Sequence, residues 1–138
     1  MIRRTLLVPF ALAAAACGGG ADLLDDATLR APSSEGTFEA RLVPEPVDIP
    51  NNEPFAMRLA LVGPDGEAFV DYDEVTLDAR MPAHGHGMLR DVDLELEKDG
   101  TLRAEGLLFH MAGHWEIHVD VRRGPWIERA QASVQMQP

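Results

Sequence analysis

From Thr37 onward, apolar and polar side chains alternate in short runs, the period-two signal of strands with one buried face. Thr37 to Val43 places Phe38, Ala40 and Leu42 on one side, and Phe55 to Val62 places Phe55, Met57, Leu59 and Leu61. Gly63-Pro64-Asp65-Gly66 then supplies a turn. Val75 to Met81 sets Val75, Leu77, Ala79 and Met81 opposite Thr76, Asp78 and Arg80. Val92, Leu94 and Leu96 mark a fourth run, which Lys98-Asp99-Gly100-Thr101 folds back into Leu102 to Phe109. Trp115, Ile117, Val119 and Val121 line a sixth strand, and Ile127 to Val134 makes a seventh. Nothing after the first 16 residues shows a helical repeat. Seven short strands with turn signals between them predict an all-β domain over 37–138, a seven-stranded antiparallel sandwich of immunoglobulin type. The lone cysteine excludes the disulfide of antibody domains.

The N-terminal pattern differs. Met1-Ile2-Arg3-Arg4 is basic, and Thr5 to Ala16 is an uncharged apolar run ending in small residues. It falls short of the roughly 20 apolar residues of a membrane span and reads as an export signal over 1–16. Ala14-Ala15-Ala16-Cys17-Gly18 resembles a bacterial lipobox, with Ala14 where leucine is more usual, so Cys17 is the expected lipid-bearing residue. The competing reading is ordinary cleavage after Ala-x-Ala, leaving a free thiol. The stretch 17–36, with its Gly-Gly-Gly, Asp25-Asp26 and Pro32-Ser33-Ser34, reads as lipid anchor and flexible linker. The expected location is the cell envelope, anchored at Cys17 on the periplasmic face. Gly18 lacks the aspartate of an inner-membrane retention signal and leans toward the outer membrane by analogy.

Charge narrows the partners. The chain carries a formal charge of -11, and loses two more positive charges if Arg3 and Arg4 leave with the signal. Its basic residues are scattered among carboxylates, which argues against nucleic acid. The acidity serves solubility, with attraction of cations as the alternative.

Candidate chemistry gathers in two places. Met81-Pro82-Ala83-His84-Gly85-His86-Gly87-Met88 and His110-Met111-Ala112-Gly113-His114, with His118, hold all five histidines and three of the six methionines. Imidazole serves copper and zinc alike, whereas a thioether favours Cu(I), so the mixture points to copper before zinc. Thiolate ligation is excluded, since Cys17 is the only thiol. The Met-Pro-x-His-Gly-His-Gly and Met-x-Gly-x-Trp stretches, standing here at Met81–Gly87 and Met111–Trp115, resemble the YtkA-like family of small exported immunoglobulin-like domains. The resemblance spans about Thr37 to Gln135.

His84 and His86 sit among Pro82, Gly85 and Gly87, where loop backbone frees imidazoles from the core face. They are candidate ligands with Met88, or else histidines that hydrogen-bond the loop. Met111 and His114 are the candidates from the second segment, and His110 is a weaker one. Met81 shares the core parity of its strand, which favours packing over ligation. His114, Glu116 and His118 fall on the face opposite Trp115, so His118 is expected toward solvent, and a weak surface zinc pair is the alternative.

No nucleophile elbow, phosphate loop or dinucleotide fingerprint is present, and His84-x-His86 lacks the Asp-His that follows in zinc hydrolases. The expectation is a non-enzyme and a monomer. Two readings stay open. One is an envelope-tethered domain that binds or transfers copper through a His/Met loop site. The other is an immunoglobulin-like accessory module that binds an envelope protein partner. The first requires the 81–88 loop and the 110–114 turn to meet at one end of the sandwich.

Overall fold

The computed structural model describes residues 22–138, so the signal and Cys17 lie outside the described residues. Among the described residues nine strands form: β1 (Leu29–Pro32), β2 (Glu39–Glu45), β3 (Phe55–Val62), β4 (Glu74–Met81), β5 (His86–Gly87), β6 (Asp93–Leu96), β7 (Leu102–Leu107), β8 (Gly113–Arg123) and β9 (Trp126–Met136). They make two antiparallel sheets, one ordered β1-β2-β3-β7-β6 and the other β5-β4-β8-β9. The two sheets share one core. Leu42, Met57, Leu59 and Leu107 meet Ala79, Met81, Trp115, Ile117 and Val119 there, as the period-two pattern requires.

The count exceeds seven because two strands carry almost no periodic signal. β5 is two residues long, pairing Met81 with His86 and Arg80 with Gly87. β1 lies inside the stretch expected as linker and pairs with β2 from Leu29↔Leu42 to Pro32↔Glu39. Residues ahead of β1 are packed as well. Leu23 and Leu24 are buried against Val43, Ala60 and Val62 in a second, smaller cluster. That cluster lies on the outer side of β3, whose alternate residues Ala60 and Val62 would otherwise present apolar surface to water. From Asp22 onward, therefore, the expected linker is part of the fold.

Register fixes which turns share an end. β3 runs antiparallel to β2 and β7, with Val62 opposite Glu39 and Leu59 opposite Leu102. The β1–β2 turn, the β6–β7 turn at 97–101 and the end of β3 thus lie together. The β8–β9 turn joins them, since Glu128 accepts hydrogen bonds from the Glu35 and Thr37 amides and from the Thr37 hydroxyl. Burial opposes ionisation of Glu128, but the Ser33 hydroxyl together with these Thr37 and Glu35 donors outweighs it and holds its carboxyl below the usual glutamate range. The opposite end carries the β4–β5 hairpin, the β7–β8 link and the C-terminal end of β9.

Candidate functional site

β4 ends at Met81, and Pro82 starts a single 3-10 turn, Pro82–His84, that Gly85 closes in the left-handed region at φ 64°. The Gly85 amide donates to the Met81 carbonyl at 3.1 Å, which reverses the chain so that His86 lands beside Met81 as its β-partner. Gly87 passes close to β4. A side chain there would meet the Ala79 carbonyl at 3.2 Å. The hairpin therefore presents His84 and His86 at the end of one sheet.

The second segment arrives from the other sheet. β7 ends at Leu107, and residues 108–112 cross to β8. Phe109 stacks on Trp115, with ring centroids 4.6 Å apart and planes within 9°. The Trp115 indole donates to the Met111 carbonyl at 3.1 Å and so closes the crossing. Locked this way, the crossing turns His110 inward. Its ring meets the Trp115 ring edge-on at 5.5 Å and lies 5.3 Å from the ring of His86, which is 5.6 Å from that of His84. The two motif segments thus meet at one end of the sandwich, and three imidazoles stand in a row.

His84 is exposed, whereas His86 and His110 are both half-buried. His86 Nδ1 is 3.3 Å from the Gly87 carbonyl. His110 Nδ1 is fully buried and has no hydrogen-bond partner, the sole such side-chain atom among the described residues. A buried polar nitrogen without a partner is unfavourable and calls for a missing one. Also among the described residues, no three His, Cys, Asp or Glu side chains are arranged to hold a metal ion as they stand.

The methionines divide. Met81 is 1% exposed, and its methyl carbon lies where a side chain on Gly113 would be, at 2.9 Å, so it is a core residue. Met88 is half-buried against the core beside the hairpin. Met111 is 37% exposed at the rim next to His110.

His114 does not join the row. It lies on the outer face of β8, 3.9 Å from Glu116 through Nε2, while His118 approaches the same carboxylate at 3.3 Å. His118 was expected to face solvent, yet it is only 8% exposed. It stands on the outer face opposite Asp78 and Gln131 in the middle of the sheet, where neighbouring strands cover it. Of the two residues flanking the Met111-Ala112-Gly113 turn, the structure brings in His110, the weaker expectation, and sends His114 away. The signal that marks His110 is aromatic: Phe109 and Trp115 on either side of a short crossing.

A sequence model of the YtkA-like family matches residues 31–120, which include the last two residues of β1, the histidine hairpin and the crossing. No match was found among curated proteins or among solved structures.

Proposed function

The chain belongs to the YtkA-like family, and from that premise we propose that it is an envelope-tethered domain that binds or passes copper, not an enzyme. Cys17 carries the lipid, and the outer membrane is the favoured location. The row of His84, His86 and His110 supports the copper reading, and the buried, unpartnered Nδ1 of His110 carries it. An ion is one partner that nitrogen lacks.

The donor set fits copper better than zinc. A zinc cage needs four ligands disposed tetrahedrally, whereas a row of imidazoles with thioethers nearby suits the soft, low-coordinate Cu(I) ion. His110 is fixed by Trp115, and His86 by its β-pairing with Met81. His84 is exposed and free to turn onto an ion held by the other two. Met111 at the rim is a candidate thioether donor, as is Met88, two residues after His86 and packed against the core. Met81 stays in the core and His114 stays with Glu116.

The reading is tested by Cu(I) and Zn(II) titration of the full chain in detergent, against a competing chromogenic chelator. One-to-one Cu(I) binding is expected, lost in a His86→Ala, His110→Ala chain and retained in His114→Ala. Weak, non-stoichiometric binding that survives the double substitution retires the metal site and leaves an envelope interaction module.

A further inference from the structure

We infer that the end of the sandwich opposite the histidines lies against the lipid bilayer, through Trp126, Ile127 and Val70, so that the histidine row points away from the membrane. The inference rests on the lipid anchor at Cys17 proposed above. It goes further in assigning the surface that faces the bilayer.

The path of the chain is the first ground. Asp22, Leu23, Leu24 and Asp26 line one hollow of about 260 Å³ together with Asp99 and Thr101. The first described residue therefore sits beside the β6–β7 turn, at the end away from His84, His86 and His110. The Arg41 guanidinium donates to the Leu23 carbonyl at 3.5 Å and pairs with Asp25 at 3.4 Å, and Arg58 pairs with Asp26 at 3.5 Å, which pins that exit. From Cys17 to Asp22 the chain spans at most about 17 Å when fully extended. β8 has 11 residues and is about 36 Å long, so the anchor cannot bring the histidine end to the bilayer without first turning the domain on its side.

The chemistry of the near end is the second ground. Trp126 is 77% exposed, Ile127 66% and Val70 76%. Trp126 and Ile127 open β9 and face opposite sides of it, and Val70 shares their end of the sandwich because the β8–β9 turn is bound to the segment ahead of β4. The Gly124 amide donates to Asp73 at 2.6 Å, and Arg123 pairs with Asp71 at 2.9 Å and lies over the Phe69 ring at 5.9 Å. Tryptophan favours the interface between headgroups and acyl chains, and Ile127 and Val70 at the same end add exposed apolar surface. Arg122 and Arg123 face three carboxylates, Asp71, Asp73 and Glu74, so the tip carries no positive charge in excess that anionic lipid would attract. The contact is apolar and needs no anionic lipid. A tether of this length makes docking an intramolecular event, and a contact too weak to hold a free domain suffices.

The chain supplies its own reporters, since its two tryptophans mark opposite ends: Trp126 at the tip and Trp115 beneath His110. The lipidated full chain is placed on phosphatidylethanolamine and phosphatidylcholine vesicles with brominated acyl chains, then followed by flotation and tryptophan emission. The wild type is expected to float and to lose emission relative to unbrominated vesicles, a loss that Trp126→Phe abolishes and added salt does not change. A chain that fails to float retires the anchor, and the inference with it. A chain that floats with its emission unquenched leaves the anchor standing, overturns the docking and points to a protein occupant of the same patch. Quenching that persists in Trp126→Phe belongs to Trp115 and places the histidine end against the bilayer, which overturns the orientation.

Discussion

Gly113 controls the distance between core and site at the level of a single atom. It opens β8 at φ 129°, in the region that side chains avoid, and the Met81 methyl occupies the space its own side chain would need. Gly113→Ala therefore strains the backbone and pushes Met81 toward its β-partner His86. A loss on the order of 1 to 3 kcal/mol is expected from the strained φ and the overpacked core. The measurement is the urea midpoint at constant m-value, and an unchanged midpoint would show that Met81 yields without penalty. The same glycine explains what the residue pattern conceals. Parity of facing carries along a strand, but β7 ends at Leu107 and β8 starts at Gly113, so alternation counted through 108–112 has no meaning. That is why counting could not place His110, whereas His114, inside β8, stands on the outer face that alternation gives it. His84 and His86 were legible because proline and glycine around them specify a turn whatever lies elsewhere.

The longer strands could be read from sequence because each buries one face, and β3, β4 and β8 fall within two residues of their expected bounds. β1 could not. It has four residues, ends at Pro32 and sits among aspartate, serine and glycine that signal a linker. A trace was nevertheless present in Leu59-Ala60-Leu61-Val62, a continuous apolar run that a strand with one wet face does not need. Leu23 and Leu24 cover its outer side. The segment ahead of β1 is thus a structural element whose removal exposes Ala60 and Val62. Leu23→Ala with Leu24→Ala is expected to destabilise the fold by about 2 to 4 kcal/mol through lost apolar burial. Chemical denaturation of the double variant checks this. A plain linker would leave the midpoint where it was.

At the scale of the whole molecule, the histidine row joins the two sheets. His84 and His86 belong to the β4–β5 hairpin of the four-stranded sheet, whereas His110 stands on the crossing that leaves β7 of the five-stranded one. An ion gripped by both segments ties the sheets together at the end where the β7–β8 crossing passes from one to the other. Only the folded chain brings those segments together, so binding must raise stability by mass action, by about 2.7 kcal/mol at a free concentration 100 times Kd. For a domain of this size that is a rise in Tm on the order of 10 °C. Differential scanning calorimetry of the full chain under anaerobic Cu(I) buffering should show this rise, with a smaller one for Zn(II), whose tetrahedral cage the row does not offer. His84→Ala with His86→Ala removes one exposed and one half-buried side chain, so the metal-free Tm should stay close to the wild-type value while the copper-dependent rise collapses. An equal rise in both chains would mean that copper is held elsewhere, with Glu116, His114 and His118 on the outer face of β8 as the next place to look.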